Sequence, residues 1–245
     1  MSSSLALNPA HRPQAYNAVF KTSGRLHIPD ILTPAASRVM HQILSATQEW
    51  TRSIHLHEGQ DVDLPVSELD QMSDSERAAF ERSLTASSSD SLQYVFDTVR
   101  ISAAITDGRP VSAPMVAVHR FVNSAPFLRF VSQVSGMTDL AFADVMATRY
   151  LPGHFLTAHG DENPRERRRL AYVLNMTPQW RADWGGILMF LDDDGHVAEG
   201  YVPAFNALNL FSVPQTHAVS LVSHLASTPR LSVTGWIHAA ACKSK

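Results

Sequence analysis

The chain has 245 residues, of which 44% are apolar, and its formal net charge is -3. That is enough for one domain with a sizeable core, and the near-neutral charge argues against a protein held to nucleic acid by its overall field. The single cysteine excludes a disulfide framework and a thiolate zinc cluster, and no stretch approaches the ~20 apolar residues of a membrane span, so we expect a cytoplasmic protein without a signal peptide.

The first elements are predicted from local signals. Residues 1–24 are rich in Ser, Pro and Asn and are expected to form a loose arm. Residues 25–32 alternate weakly between polar and apolar, and their proline fits an edge strand. Thr33 and Pro34 are typical of a helix start, with a capping hydroxyl followed by a proline, and this helix is predicted to reach about Trp50.

Residues 25–139 are predicted to be a mainly helical flank. Ser73 to Glu76 has the pattern of a capping box, which predicts a helix through about Leu84. Residues 124–135 predict another helix, which ends at a C-terminal glycine, Gly136. A further apolar stripe is interpreted as structural core and consists of Leu92, Val95, Phe96 and Val99.

From residue 140 the pattern changes to short β-rich runs separated by turn signals. The predicted strands are 140–150, 154–160, 168–176, 186–191, 196–202, 207–213, 217–222 and 230–239. Such strands without intervening helices favour a jelly roll or double-stranded β-helix. No Gly/Ser linker separates the halves, so we predict one α+β domain over residues 1–245, with a double-stranded β-helix core at 140–240 and helices packed on its outside.

A metal site is predicted from three side chains. His159 and Asp161 lie two residues apart in a predicted strand, and this spacing places both on one face. The best third ligand is His217, because it opens the apolar strand 218–222 after a proline-containing turn. Two His and one carboxylate suit non-haem Fe(II) and leave positions open for substrate and oxygen.

Other histidines are weaker candidates for this site. His224 lies in the loop before the last strand, His238 lies towards the far end of that strand, and His154 is expected at the pocket mouth or on the surface. The segment from His55 to Glu58 repeats the spacing of two ligands, but nothing near it supplies a partner from a second strand. We interpret it as a surface loop.

A carboxylate site is predicted on the last strand. By the period of two, four side chains share one face: Arg230, Ser232, Thr234 and Trp236. The guanidinium of Arg230 and the hydroxyl of Ser232 would therefore lie side by side, and such a pair suits a carboxylate ligand.

This ordered set resembles the signature of Fe(II)- and 2-oxoglutarate-dependent dioxygenases, over roughly residues 140 to 240. The resemblance is closer to the prolyl-hydroxylase branch. The segments that carry it are Arg149-Tyr150-x-Pro152-Gly153, Tyr172-x-Leu174-Asn175 followed by Trp180, and Trp184-Gly185-Gly186-Ile187-Leu188.

The resemblance implies roles for the candidate residues. His159, Asp161 and His217 would bind Fe(II). Arg230 and Ser232 would bind the distal carboxylate of 2-oxoglutarate, and Tyr150 would lie in the active site. The implied reaction uses O2, converts 2-oxoglutarate to succinate and CO2, and hydroxylates an unactivated C–H bond of a prolyl residue or a related amino-acid-type substrate. L-ascorbate is an implied further cofactor.

One departure concerns the cosubstrate pocket. In the animal oxygen-sensing prolyl hydroxylases, a second tyrosine on the Leu-Asn strand helps to hold the cosubstrate. Here that position is Val173, and Tyr172 is expected on the opposite face. Asp161 is a carboxylate, whereas the halogenases of this superfamily have a small residue at that position, so hydroxylation is predicted.

Several interpretations stay open from the sequence. The basic run Arg165–Arg169 is either a solvated loop or a contact for an acidic or peptide substrate, and Trp180 and Trp184 belong either to the rim or to the core. Asp192–Gly195 is interpreted as a β-turn.

The alternative functions are a non-catalytic protein that binds a metal and 2-oxoglutarate, and a hydroxylase of a small metabolite. The near-neutral charge argues weakly against nucleic-acid demethylation.

Overall fold

The computed structural model describes residues 5–56, 60–73, 75–76, 92–163 and 165–240. The α-helices in this part are α1 (Asn17–Ser23), α2 (Pro34–Ala46), α3 (Val66–Leu69), α4 (Ile101–Thr106), α5 (Ala113–Val122) and α6 (Ala125–Ser135). Short 3-10 helices lie at Pro13–Tyr16 and Ala182–Trp184. None of the helices described is long and apolar enough to cross a membrane.

Strands dominate the second half of the chain and also occur in the first half. They are β1 (Arg25–Ile28), β2 (Thr51–Leu56), β3 (Gln60–Pro65), β4 (Tyr94–Val99), β5 (Leu140–Ala143), β6 (Met146–Tyr150), β7 (Phe155–His159), β8 (Arg168–Asn175), β9 (Leu188–Leu191), β10 (Val197–Tyr201), β11 (Ala207–Ser212), β12 (His217–Val219) and β13 (Arg230–Ala239).

The strands pair antiparallel in the order β1-β11-β8-β13-β6-β4-β7-β12-β9-β10, and β2, β3 and β5 branch from this path. The sheet curls until it nearly closes into a barrel, with the helices on its outside. This is a double-stranded β-helix, so the predicted α+β fold class is confirmed. β1 lies at the end of the path, as expected for an edge strand.

Two groups of buried side chains follow from the alternation along the strands. The larger group lies between the helices and the outer face of the sheet, and includes Met40 from α2, Phe127 from α6 and Val233 from β13. The smaller group lies inside the barrel and includes Phe190 and Phe211. Burying one such side chain contributes roughly 1.5–3 kcal/mol, so the outer group holds the helices against the strands that form the cavity.

Two predicted helix starts are confirmed. Thr33 Oγ1 accepts a hydrogen bond from the Ala36 amide at 3.2 Å, and Ser124 caps α6 in the same way. Gly136 ends α6 with φ 76°. α2 ends at Ala46 instead of reaching Trp50, because Thr47 is already extended and leads the chain into β2.

The flank of residues 25–139 contains three strands that were not predicted, β2 to β4. The stripe of residues 92–99 fits helical spacing, but Tyr94–Val99 is rich in β-branched and aromatic residues and pairs with β2, β6 and β7. Pairing with distant strands overrides the local pattern. His55 likewise lies in β2 instead of a surface loop, while His57 and Glu58 lie outside the described residues.

Smaller differences concern the ends of elements. The arm is docked, since Phe20 on α1 is only 3% exposed and Leu7 forms a bridge to Leu32. The predicted strand 140–150 is two strands, because it breaks at Asp144, whose amide bonds to the Trp236 carbonyl. β12 ends at Val219 instead of residue 222.

The predicted edge strand 25–32 ends at Ile28, four residues early, whereas the remaining strand boundaries differ from the prediction by one or two residues at most. Ser73 and Glu76 form the predicted capping-box hydrogen bonds, but the helix to Leu84 lies outside the described residues. The division of the chain into one domain stays a prediction.

Candidate active site

A cavity of about 470 Å³ opens inside the barrel. Its walls come from eight strands of the curved sheet, β4, β6 to β9 and β11 to β13, and from the segment that follows β7. The lining residues used below are Tyr94, Phe96, Thr98, Thr148, Tyr150, His159, Asp161, Arg168, Val173, His217, Arg230, Ser232 and Trp236. The cavity therefore contains every side chain that the sequence assigned to the metal and carboxylate sites.

Three candidate metal ligands converge on one side of the cavity. His159 on β7 and His217 on β12 stand opposite each other in register, with ring centroids 4.2 Å apart. Asp161 Oδ1 lies 3.2 Å from His159 Nε2, and Asp161 Oδ2 lies 3.4 Å from His217 Nε2. One ligand atom from each residue lies within 4.8 Å of the others.

Asp161 reaches this position by a route different from the one that strand alternation predicts. β7 ends at His159, and Asp161 adopts φ 63° in the left-handed region. The chain therefore turns beyond the strand and brings the carboxylate back towards the His159 ring. Arg168 Nη1 donates a hydrogen bond to the Asp161 carbonyl at 3.0 Å, which holds the turn in place.

The orientation of both rings is set by backbone carbonyls. Nδ1 of His159 lies 2.9 Å from the Thr157 carbonyl, and Nδ1 of His217 lies 2.8 Å from the Gln215 carbonyl. A carbonyl only accepts, so Nδ1 carries the proton and the lone pair of Nε2 faces the site in a neutral ring. Hydrogen bonds of this kind orient metal-binding histidines.

The charge states also suit a cation. Burial opposes ionisation of Asp161, but the carboxylate lies against His159 and His217, and the protonated forms of these rings bring its pKa below the usual value. Burial lowers the pKa of His217, which favours the neutral ring, whereas Asp161 raises the pKa of His159 despite burial. Two imidazole nitrogens and one carboxylate are a donor set that fits Fe(II).

A second group of possible ligands consists of Asp144, Glu166 and His238. Its members already have partners. His238 Nε2 lies 2.8 Å from Asp144 Oδ2, and Glu166 accepts a hydrogen bond from Arg168 Nε at 2.7 Å. These contacts leave this group less suited to a metal than the one in the cavity.

Arg230 forms the other end of the candidate site. It is 2% exposed and lies over the ring of Tyr150, with Cζ 4.9 Å from the ring centroid. Nε has no hydrogen-bond partner, and no carboxylate pairs with the guanidinium within the described ranges. Burial lowers the pKa of Arg230. A buried cation without a partner is costly, so this position fits a ligand that brings a carboxylate.

The neighbours of Arg230 complete the carboxylate site. Ser232 Oγ lies 2.7 Å from Thr148 Oγ1 on β6. Burial raises the pKa of Tyr150 to about 12, so its hydroxyl stays protonated. Val173 lines the cavity, whereas Tyr172 lies in the outer core and donates a hydrogen bond to the Asp144 carbonyl at 2.8 Å. The opposite orientation of these two neighbours follows the strand period, as expected.

Two other histidines that the sequence analysis considered, His154 and His224, do not line the cavity. The expectation that His154 lies at the pocket mouth or on the surface is wrong: it is 3% exposed and sits near Arg52, Asp97 and Arg149. Burial, aided by the two arginines, lowers the pKa of His154 to about 4. His154 follows β6, and its carbonyl accepts a hydrogen bond from the Val222 amide at 3.0 Å, which fixes the backbone of this segment. His224 is exposed.

The basic run is neither a uniform solvated loop nor a uniform contact surface. Only Arg168 lines the cavity, with Cζ 3.6 Å from the Trp236 ring centroid. Arg169 pairs with Asp139 at 2.5 Å, and Arg167 donates to the Ala240 carbonyl. The sequence analysis did not distinguish Arg168 from the other arginines of the run, because its distance along the chain from the metal ligands gave no signal.

Cavity residues from β4 were missed by the sequence analysis. Tyr94, Phe96 and Thr98 share one face of the strand, and Phe96 stacks on Tyr150 with centroids 5.3 Å apart. The alternation of these three was the available signal.

Trp180 and Trp184 pack edge to face at 5.3 Å beside the cavity without lining it. Asp192 accepts from the amides of Asp194 and His196, which is the predicted turn.

Comparison with known families gives a match over part of the chain. Residues 145–238 match the family model described as the 2OG-Fe(II) oxygenase superfamily. The resemblance inferred from the sequence is therefore confirmed over these residues, which include every predicted ligand. This superfamily uses Fe(II) and 2-oxoglutarate, and the donor set and the unpaired arginine fit both.

Particular relatives are prolyl hydroxylases. The chain is 32% identical over 132 residues to prolyl 3-hydroxylase OGFOD1 of Mus musculus, a match that covers 51% of this chain and 24% of the mouse protein. It is 31% identical over 126 residues to prolyl 3-hydroxylase OGFOD1 of Xenopus laevis, covering 49% of this chain and 24% of that protein. The match thus spans about a quarter of the length of these relatives.

Solved structures share the fold. An oxidoreductase of the 2OG-Fe(II) oxygenase family from Burkholderia pseudomallei has a TM-score of 0.60 at 12% identity, covering 97% of this chain and 96% of its own. A prolyl hydroxylase from Trichoplax adhaerens, in complex with a peptide fragment of the hypoxia inducible factor oxygen degradation domain, has a TM-score of 0.59 at 15% identity. It covers 93% of this chain and 90% of its own.

Proposed function

We propose that the protein is an Fe(II)- and 2-oxoglutarate-dependent dioxygenase that hydroxylates a prolyl residue of a peptide or protein. The observation that carries this proposal is one cavity with two complementary ends. One end has the His159, Asp161 and His217 donor set, and the other has the unpaired guanidinium of Arg230. A 2-oxo acid with a second carboxylate is the ligand that both ends would accept together.

The residues divide the work between metal and cosubstrate. His159, Asp161 and His217 hold the metal, with the rings kept in position by the Thr157 and Gln215 carbonyls. Arg230 binds the distal carboxylate, whose charge offsets the buried guanidinium. When bound, iron supplies the redox chemistry by which O2 converts 2-oxoglutarate to succinate and CO2 and hydroxylates the substrate.

The protein side of the mechanism is positioning and exclusion of water. Phe96, Tyr150 and Phe211 give the cavity apolar walls between the two ends. Low polarity around Arg230 strengthens its attraction for a carboxylate, and a dry wall limits side reactions of the oxidant. The protonated hydroxyl of Tyr150 lies beside Arg230 and is available as a donor to the cosubstrate.

Two observations favour a peptide or protein substrate: the relatives are prolyl hydroxylases, and the rim of the cavity carries suitable side chains. Tyr94, Arg168 and Trp236 line the cavity away from Arg230 and combine flat apolar surfaces with a cation. Hydroxylation of a small metabolite is the alternative within the same chemistry. L-ascorbate as a cofactor and a cytoplasmic location stay predictions.

The test begins with the metal-free protein under anaerobic conditions. Addition of Fe(II) and 2-oxoglutarate should produce a visible metal-to-ligand charge-transfer band, and admission of O2 should produce succinate. Mass spectrometry of proline-containing peptides added to the reaction should then detect a gain of one oxygen atom. A band without succinate, with peptide substrates present, would favour a binding protein over an enzyme. Absence of the band would contradict the metal assignment.

A further inference from the structure

A row of polar side chains crosses the inside of the barrel next to Arg230. Thr148 on β6, Ser232 on β13 and Asn175 on β8 stand in register on three adjacent strands. Each of them is 3% exposed or less. The next residue pair on the same face, towards the end of β6, is Tyr150 and Arg230. The row therefore lies directly beside the predicted carboxylate site.

The hydrogen bonds of this row leave one hydroxyl proton unassigned. Thr148 Oγ1 and Ser232 Oγ lie 2.7 Å apart, so one of the two hydroxyls donates to the other. Each hydroxyl has a single proton. If Thr148 donates to Ser232 Oγ, the Ser232 proton is free for an acceptor in the cavity. If Ser232 donates to Thr148, the cavity receives no proton from Ser232.

An incoming carboxylate selects the first arrangement. Its two oxygens offer about four acceptor positions, and the Arg230 fork does not use all of them. Val173, which lines the cavity on β8 next to this row, has no donor. Besides the Tyr150 hydroxyl, Ser232 Oγ is thus a neighbouring group that can donate, and its proton is free for the carboxylate only when Thr148 is the donor in the Thr148–Ser232 pair.

We infer that Thr148 is a positioning residue for the cosubstrate: its hydroxyl donates to Ser232 Oγ and thereby directs the Ser232 proton to the distal carboxylate held by Arg230. The inference rests on the proposed function, because it needs a cosubstrate carboxylate at Arg230. It adds a residue that acts through Ser232, and it predicts a preference for ligands that have the second carboxylate.

Thr98 provides a matched control. It stands in register with Thr148 on the adjacent strand β4, is 1% exposed and also lines the cavity wall. Its hydroxyl, however, donates to the Ala147 carbonyl at 3.2 Å and does not reach Ser232 in the bonds observed. Thr98→Val therefore makes the same chemical change at a neighbouring site without removing the donor to Ser232.

The experiment measures binding in the absence of turnover. Calorimetry with the Mn(II)-loaded protein compares 2-oxoglutarate with 2-oxopentanoate, which has a methyl group in place of the distal carboxylate. Thr148→Val should weaken 2-oxoglutarate about tenfold, the size expected for a hydrogen bond to a charged group, and should change 2-oxopentanoate less than about twofold. Thr148→Ser should restore wild-type affinity, and Thr98→Val should leave both affinities within about twofold of wild type.

The outcomes separate this inference from the proposed function. If the wild-type protein binds 2-oxoglutarate and Thr148→Val binds it equally well, or weakens both ligands equally, the positioning role is wrong. If the wild-type protein does not bind 2-oxoglutarate, the proposed function itself is wrong. If Thr148→Val does not fold, as judged by its thermal unfolding, Thr148→Ala with the same two ligands gives the same comparison.

Discussion

Arg230 is expected to destabilise the ligand-free protein while it serves to bind the cosubstrate. It is a buried cation whose Nε has no hydrogen-bond partner in the described chain. Arg149 is the opposite case, since both it and Arg52 bond to the buried carboxylate of Asp97. The two arginines lie on the neighbouring strands β13 and β6, one position out of register, but only Arg149 has its charge compensated. The same substitution should therefore have opposite effects on stability.

Arg230→Met should abolish measurable binding of 2-oxoglutarate and raise the free energy of unfolding of the ligand-free protein by about 1–3 kcal/mol, because it removes an unpaired buried charge. Arg149→Met should instead lower the free energy of unfolding by about 2 kcal/mol, because Asp97 loses one of its two partners. Urea unfolding monitored by circular dichroism measures both. A less stable Arg230→Met would contradict the idea that Arg230 is kept for binding.

At the metal end, His217→Ala should remove succinate formation by more than about 100-fold and weaken Fe(II) binding, since only two ligands would be left. The matched control is His224→Ala, because His224 is exposed and lies outside the cavity lining. Succinate yield and metal content after dialysis are the measurements. Equal activity in the two variants would exclude His217 as a ligand.

At the scale of elements, β13 organises the site, because it lies between β6 and β8 and carries both Arg230 and Ser232. Its middle passes very close to the chain between β5 and β6. A Cβ atom on Gly235 would lie 2.0 Å from the Asp144 carbonyl oxygen, which is closer than any real contact. Glycine at this position therefore allows the close approach of two backbones.

Gly235→Ala should lower the free energy of unfolding by about 2–4 kcal/mol, since one of the two backbones has to move. Gly195→Ala is the control: a Cβ there meets nothing within 4 Å, so only the φ of 82° is unfavourable. That strain costs about 1 kcal/mol. Thermal and urea unfolding of the two variants test the difference. Equal losses would mean that β13 has room to shift.

At the scale of the whole molecule, stability should depend on pH through His154. Its pKa is lowered from 6.5 to about 4 in the folded state, because the ring is buried near Arg52 and Arg149. Between these two pH values the unfolded chain binds a proton that the folded protein does not. The free energy of unfolding should therefore fall as the pH drops through this window, by at most about 1.4 kcal/mol per pH unit.

His154→Gln removes this titration and should flatten the dependence between pH 6.5 and about pH 4. Asp97 does not mask the effect, since its pKa is held below 3.8 and its protonation belongs to a more acidic range. Urea unfolding at several pH values, compared with the wild-type protein, measures the slope. An unchanged slope would show that other groups control the acid stability.

Local patterns in the sequence were enough for features that depend on a few neighbouring residues. The caps at Thr33 and Ser124, the αL glycine at Gly136 and the opposite orientation of Tyr172 and Val173 all follow from hydrogen bonds or strand alternation within one element. The residue types at the candidate site could also be predicted from the sequence, because few residue types bind a metal or a carboxylate.

Only the tertiary structure decided what the distant parts of the chain do together. Tyr94–Val99 became a cavity wall because β6 and β7, about fifty residues later, pair with it. Asp161 reaches the metal site through a turn with positive φ, and Arg168 reaches the cavity by bonding to that turn. The burial of His154, and the lack of a carboxylate partner for Arg230 among the described residues, likewise depend on several strands at once. Spacing along the chain specifies which groups are available, whereas their burial and pairing depend on contacts between elements that no short segment encodes.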